Sequence, residues 1–252
     1  KVDSTTKNKV LKKFLVLLKK NQKKILQQNK KDIKFAKKKK LKTNLIDRLM
    51  LTSKKLESIK KSVKDIIKLR DPVDKILDNW KRPNGLNIKK VSTPIGVIAV
   101  IYESRPNVTS DISSLCFKSG NAVILRGGSE AINTNKILSS LFRKALTMNK
   151  VNPDFVQFIN DRNRKIVDFL LAKMTKEIDV IIPRGGKSLV KKVLKKSTVS
   201  IIGHYEGLCH VYIDREADLN MAIKVVNNSK MRNVGICGAA ETLLIDKKCL
   251  RT

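Results

Sequence analysis

From Asn87 onward, short β-rich runs alternate with helical stretches, and most of the runs are apolar along their whole length, as in Val97-Ile98-Ala99-Val100-Ile101. A strand with one solvated face alternates apolar and polar side chains, so a continuous apolar run points to a strand covered on both faces. The runs fall at Gly96–Tyr102, Asn121–Arg126, Phe155–Ile159, Asp179–Pro183 and Val199–Tyr205. Helical segments between them supply the crossovers that parallel neighbours require. Further runs at Cys209–Asp214 and Thr242–Asp246 flank a helix expected over Ala217–Ser229. The expected fold class is therefore α/β, a doubly wound parallel sheet.

The first ninety residues follow a different period. Val10, Leu11, Phe14, Leu15, Leu17 and Leu18, then Ile25 and Leu26, then Leu45, Ile46, Leu49 and Met50 recur at helical spacing. These are amphipathic helices with lysine outer faces. Asp71-Pro72 breaks the pattern, and Arg82-Pro83-Asn84-Gly85 reads as a turn.

Charge limits the functional classes. The chain carries 55 basic against 22 acidic residues, net +33, of which residues 1–90 contribute +22. Only 12 of the basic residues are Arg, whereas groove reading and bidentate phosphate contacts favour the guanidinium. Clusters such as Lys37 to Lys40 bind polyanions in a salt-dependent way, but a solvated lysine face is the simpler reading and nucleic acid is not expected as a partner. No apolar run reaches 18 residues and the N-terminus is too polar for a signal peptide, so a cytoplasmic protein is expected. Cys116, Cys209, Cys237 and Cys249 form no CxxC pair, which gives neither a zinc site nor a disulfide framework.

Ligands of open α/β sheets bind beyond the carboxyl ends of the strands. Two loops there are alike: Arg126-Gly127-Gly128-Ser129-Glu130 and Pro183-Arg184-Gly185-Gly186-Lys187-Ser188, each leading into a helix. Glycines admit a phosphate close to backbone N–H groups, the helix dipole favours it, and Arg or Lys adds charge. The plain alternative for each loop is a Gly-rich turn with a Ser cap. Neither matches GxGxxG or the Walker pattern.

Two further stretches carry candidate chemistry. Gly235-Ile236-Cys237-Gly238-Ala239-Ala240 places a cysteine between glycines, where substrate has room and a backbone N–H can meet an oxyanion. An inert thiol is the other reading. Tyr102-Glu103-Ser104-Arg105-Pro106-Asn107-Val108 ends the first strong strand; its Asn107 is either an oxyanion donor or a helix cap.

Together these stretches resemble the γ-glutamyl phosphate reductase family, also called glutamate-5-semialdehyde dehydrogenase, of the aldehyde dehydrogenase superfamily. The likeness runs through Asp47-Arg48-Leu49, Trp80-Lys81-Arg82-Pro83-Asn84-Gly85-Leu86, Tyr102 to Val108, Lys118 to Glu130, Ile182 to Gly186, Cys237 and Glu241-Thr242-Leu243-Leu244. The resemblance implies a Rossmann-like, aldehyde dehydrogenase-type fold and NADPH-dependent reduction of γ-glutamyl phosphate to glutamate 5-semialdehyde, a step of proline synthesis. It implies Cys237 as the nucleophile and Asn107 as the oxyanion donor. Arg126, Gly127, Ser129 and Glu130 then lie near the adenine ribose, with Arg126 favouring a 2′-phosphate, and Arg184, Gly185 and Gly186 near the pyrophosphate. Implied partners are the small-molecule substrate, glutamate 5-kinase and, in the full-length protein, further copies of the chain. A related CoA-acylating dehydrogenase would keep the cysteine and change the acyl partner.

Where hydrolytic aldehyde dehydrogenases carry a glutamate base for water, this chain reads His204-Tyr205-Glu206-Gly207-Leu208-Cys209-His210. Glu206 is out of register, and it and both histidines are expected to have no catalytic role. That suits an enzyme in which phosphate replaces water as the acyl partner. The resemblance divides the chain into residues 1–90, a helical part of the cofactor domain, 91–230, its NADPH-binding core, and 231–252, the start of a catalytic domain. Family members continue past this point, so Thr252 is expected to precede the remainder of that domain.

Overall fold

The helical spacing of the first ninety residues resolves into four helices. Asp3 starts α1 (Ser4–Lys20) by accepting a hydrogen bond from Thr6 N at 2.9 Å, and Thr52 starts α4 (Ser53–Lys68) by accepting one from Lys55 N at 3.2 Å. Between them lie α2 (Gln22–Lys38) and α3 (Thr43–Leu49). α1 buries Val10, Leu11, Phe14, Leu17 and Leu18 and leaves Lys12, Lys19 and Lys20 in water. A computed structural model describes residues 1–163, 165–203, 207–234 and 236–251.

Antiparallel strands β1 (Ile76–Lys81) and β2 (Asn87–Val91) form a hairpin around the expected turn, where Gly85 takes φ 86°. Every residue of β1 is exposed. Cross-strand hydrogen bonding rather than burial makes it a strand, which is why no apolar pattern announced it.

The central sheet is parallel. β3 (Val97–Tyr102), β4 (Ala122–Arg126), β5 (Val156–Phe158) and β6 (Val180–Arg184) stand in the order β5-β4-β3-β6. Their crossovers are α5 (Pro106–Lys118), α6 (Ile132–Met148) and α7 (Lys165–Lys173), and α8 (Lys187–Lys196) follows β6. Ile98, Val100 and Tyr102 join one hydrophobic cluster with α1, α4, α5 and α6, whereas Ala99 and Ile101 join another with Val167, Leu170 and Leu171 of α7 and Val193 of α8. Both faces of β3 are thus covered, as a continuous apolar run requires.

One expected strand is corrected. In the run Val199–Tyr205 the described residues make only a single parallel bridge, Ile201 with Ile181, through Ile181 N to Ser200 O at 2.8 Å and Ile202 N to Ile181 O at 3.0 Å. The segment touches the sheet edge without extending along it. Tyr205, with His204 and Glu206, lies outside the described residues.

Few aromatics are present, yet four of the phenylalanines gather. Phe14 meets Phe142 at 4.8 Å between ring centroids, and Phe117 meets Phe142 at 5.9 Å and Phe155 at 5.5 Å in edge-on contacts. A polar joint ties α2 to the start of α6. Asp32 of α2 accepts from Asn133 N at 3.1 Å and Thr134 N at 2.8 Å, closing the start of α6 from about a hundred residues away. Burial pushes the Asp32 carboxyl above its ordinary range, against the pull of its Thr134 and Asn133 hydrogen bonds.

Residues 1–203 form one compact unit and 204–252 a second. In the second, β7 (His210–Ile213), α9 (Leu219–Met231) and β8 (Thr242–Ile245) make a βαβ unit with parallel strands. Asp218 caps α9 by accepting from Met221 N at 2.7 Å. Among the described residues no helix is long and apolar enough to cross a membrane.

Candidate functional site

The chain passes from β3 through β4 to β5 in one direction, and β6 then lies on the other side of β3. The connections therefore part between β3 and β6, and the crevice beyond those strand ends is where a doubly wound sheet takes its ligand. Tyr102, the last residue of β3, stands in register with Arg184, the last of β6.

Consecutive residues after β3 reach the two Gly-rich loops on either side. Glu103 Oε2 accepts a hydrogen bond from Gly186 N at 3.0 Å, at the start of α8. A Cβ at Gly185 would meet Glu103 Cγ and Cδ at 2.8 and 2.7 Å and Leu189 Cδ2 at 2.8 Å, so any side chain there would displace Glu103 from this place. On the other side Ser104 Oγ donates to Glu130 Oε1, and Glu130 Oε2 accepts from Ser129 Oγ at 3.3 Å. The structure brings together Arg126, Gly127, Ser129, Glu130, Arg184, Gly185 and Gly186 around this one strand end. Pattern in the sequence assigns Glu103 and Ser104 no role. Their signal is two polar residues directly after a buried strand and just ahead of a Pro-led helix.

Gly127 lies over a buried polar network. Tyr102 Oη shares a 2.7 Å hydrogen bond with Thr109 Oγ1, which donates to Asn135 Oδ1 at 2.9 Å. A Cβ at Gly127 would sit 2.2 Å from Asn135 Nδ2 and 3.0 Å from Tyr102 Cζ. Burial raises the Tyr102 phenol well above its ordinary range, with the Thr109 hydrogen bond and the Arg126 charge opposing it. Arg126 is buried and Nη1 donates to Gly127 O at 2.8 Å, whereas Arg184 is exposed. In this conformation Arg126 braces its own loop.

Asn107 sits on the second position of α5, and its Nδ2 donates to Asp111 Oδ2 at 3.1 Å, one turn on. It lines a cavity against α3 and α4 rather than joining the Gly-rich loops. Of the thiols, Cys237 is exposed beside Gly238, whose missing side chain leaves open space. Its carbonyl accepts from Cys209 Sγ at 3.3 Å. Cys116 is the opposite case: burial pushes its thiol up to about 12. His210 Nδ1 lies 2.7 Å from Leu208 O. Among the described residues no group of three His, Cys, Asp or Glu side chains has the arrangement to hold a metal ion.

Comparison with known proteins decides the family. The model of the aldehyde dehydrogenase family matches residues 1–252. The chain belongs to the aldehyde dehydrogenase family. Membership makes it part of an oxidoreductase family that works with a nicotinamide cofactor. Within the family it is similar to the γ-glutamyl phosphate reductase of Nitratiruptor sp., 46% identical over 246 residues, which cover 98% of this chain and 60% of the relative. The reductase of Aquifex aeolicus is 45% identical over 248 residues, 98% of this chain and 57% of the relative. The crystal structure of the Thermotoga maritima reductase superimposes with a TM-score of 0.92 at 39% identity, over 98% of this chain and 59% of that one. The chain thus spans about 60% of the length of the family members it matches.

Proposed function

We propose that this chain is the cofactor-binding part, with the nucleophile loop, of an NADPH-dependent γ-glutamyl phosphate reductase that yields glutamate 5-semialdehyde and phosphate. The observation that carries the reading is the 46% identity to a protein of that name over 98% of the chain. The site's own chemistry supports it.

The start of α8 already holds an anionic oxygen, from Glu103, on Gly186 N. A pyrophosphate presents the same chemistry to the same helix end. The residues therefore fit a phosphorylated cofactor once Glu103 turns aside, with the exposed Arg184 beside it to add charge. Glu130 accepts hydrogen bonds from Ser104 and Ser129, and the same carboxylate suits ribose hydroxyls. Arg126 has to swing out from Gly127 O to meet a 2′-phosphate, and that movement would select NADPH over NADH. When bound, the cofactor supplies hydride.

Cys237 gives up its thiol proton to solvent and attacks the acyl carbon of γ-glutamyl phosphate as the thiolate; the C–S bond forms as the C–OP bond breaks, and phosphate leaves. The Asn107 amide uses one Nδ2 hydrogen on Asp111 and keeps the other for an oxyanion. The thiohemiacetal that follows reduction loses its hydroxyl proton and expels the Cys237 thiolate, giving the aldehyde, which closes on its own α-amine with loss of water to pyrroline-5-carboxylate for proline synthesis. Residues 231–252 begin the catalytic domain in this scheme. Full-length copies assemble as homo-oligomers in the cytoplasm and meet glutamate 5-kinase.

The test is a titration of the folded chain with NADPH and NADH at near-physiological salt. Saturable binding that prefers NADPH and weakens in Arg126→Ala supports the reading. No binding by the folded chain overturns it.

A further inference from the structure

A cavity of about 310 Å³ opens between the end of α3, the start of α4 and the first turns of α5. That volume is at the small end of the range for small-molecule sites, about 300–1,000 Å³. Its wall is amphoteric. Arg48 comes from α3, Ser58 and Ser62 from α4, and Asn107 and Asp111 from α5. Lys55 also lines it, but its Nζ donates to the carbonyls of Asp47 at 2.7 Å and Met50 at 2.8 Å and so fixes the bend from α3 into α4. Arg48 is the lining cation left for a ligand among the described residues.

Asp111 is the opposite pole. Oδ2 accepts from Asn107, while Oδ1 is shielded from water and accepts no hydrogen bond. A half-buried carboxylate with an unmet oxygen carries a desolvation cost that a cation relieves. Asp111 lines the cavity, so a cation bound there lies beside this carboxylate.

We propose that this cavity is the amino-acid recognition site of the enzyme, where Arg48 pairs with the substrate's α-carboxylate and Asp111 with its α-ammonium group. The assignment rests on the reductase reading above. Asn107 joins the two: an acyl carbonyl that takes its second Nδ2 hydrogen leaves the rest of the substrate chain at the cavity mouth. One wall then reads a cation and the other an anion, which fits a zwitterion and penalises a ligand lacking either charge.

The experiment follows backbone amide shifts of the isotope-labelled chain during titration with L-glutamate, glutarate, which lacks the ammonium, and γ-aminobutyrate, which lacks the α-carboxylate. L-glutamate is expected to shift the Arg48, Asn107 and Asp111 amides saturably and to bind about tenfold more tightly than either comparator, the worth of one charge-assisted contact. Arg48→Gln removes the preference over γ-aminobutyrate, and Asp111→Asn removes the preference over glutarate. Unmoved amides at these positions, or equal saturation by the three ligands, overturn the site. NADPH titrated into the same sample separates the two readings: cofactor binding without glutamate discrimination overturns the pocket alone, and loss of both overturns the reductase reading with it.

Discussion

Glu103 Oε2 accepts the backbone N–H of Gly186 at 3.0 Å, so a residue at the end of β3 caps α8 across 83 positions of sequence. The carboxylate occupies the place at which a cofactor phosphate would sit, and the two anions compete for one helix dipole. Glu103→Gln keeps an oxygen acceptor and removes the charge. NADPH affinity measured by calorimetry is expected to rise about two- to fivefold, the equivalent of roughly 0.5–1 kcal/mol. Unchanged or weaker binding would show that Glu103 does not stand in the anion's place.

The N-terminal helices are tied to the core by a buried charge cluster. Lys7 Nζ donates to both carboxylate oxygens of Asp71, at 3.1 and 2.9 Å, and Lys118 Nζ donates to Asn8 Oδ1 at 2.6 Å. Burial works to raise the Asp71 carboxyl, but the hydrogen bond and charge of Lys7, the Val73 N–H and the charge of Lys118 hold it below its usual value. Burial pushes the Lys118 ammonium down, with Asp71 opposing and Lys7 adding to it.

 Because the folded pKa of Asp71 lies below its unfolded value, its contribution is present above about pH 4 and is lost as pH falls through the folded value. Asp71→Asn is expected to cost about 3 kcal/mol at neutral pH, since it leaves two buried lysines without their counter-ion. Urea unfolding from neutral to acid pH checks both: the gap between wild type and variant should close on the acid side.

Gly127 is a packing requirement as well as a loop residue. An alanine there would place Cβ 2.2 Å from Asn135 Nδ2, and that atom belongs to a fully buried side chain with little room to give. Gly127→Ala is expected to destabilise the chain by about 1–3 kcal/mol, the usual cost of overpacking. The shift in urea midpoint measures it, and a variant as stable as wild type would contradict the contact.

The phenylalanine cluster sets how firmly α1 is held to α5 and α6. Phe142 is fully buried and touches both Phe14 and Phe117. Phe142→Ala should cost about 3–5 kcal/mol, and Phe142→Leu clearly less, because the leucine fills part of the cavity. Chemical denaturation of the two variants reads the difference.

The thiols should separate by reactivity. Cys116 is buried with its thiol pushed up to about 12, and Cys237 is exposed beside an open glycine. Brief treatment with iodoacetamide at pH about 8, near the ordinary thiol value, is expected to alkylate Cys237 well before Cys116. Peptide mass spectrometry reports the order, and equal labelling in the folded chain would contradict it.

Much of this architecture was legible in local pattern. The run Val97 to Ile101 is apolar throughout because helices cover both faces of β3, and the helical repeat of Val10, Leu11, Phe14 and Leu17 marks the face that α1 buries. Burial writes a periodicity into the residues themselves. β1 carried no such mark, because its side chains are exposed and its strand character comes from pairing with β2. Val199 to Gly203 carried a misleading one: an apolar segment can pack against a sheet edge with a single bridge and never form a strand.

The candidate site divides along the same line. Local composition marks the loops rich in glycine and charge, the cysteine between glycines, and Asn107 near the start of a helix. That Glu103 and Ser104 join the two Gly-rich loops, that Arg126 turns inward, and that Arg48 and Asp111 line one cavity follows from the folded chain and from no local pattern. The reason is range. Strand and helix periods are set by neighbours a few residues apart, whereas hydrogen bonds across 26 or 83 positions exist only once the β5-β4-β3-β6 order has brought those strand ends side by side.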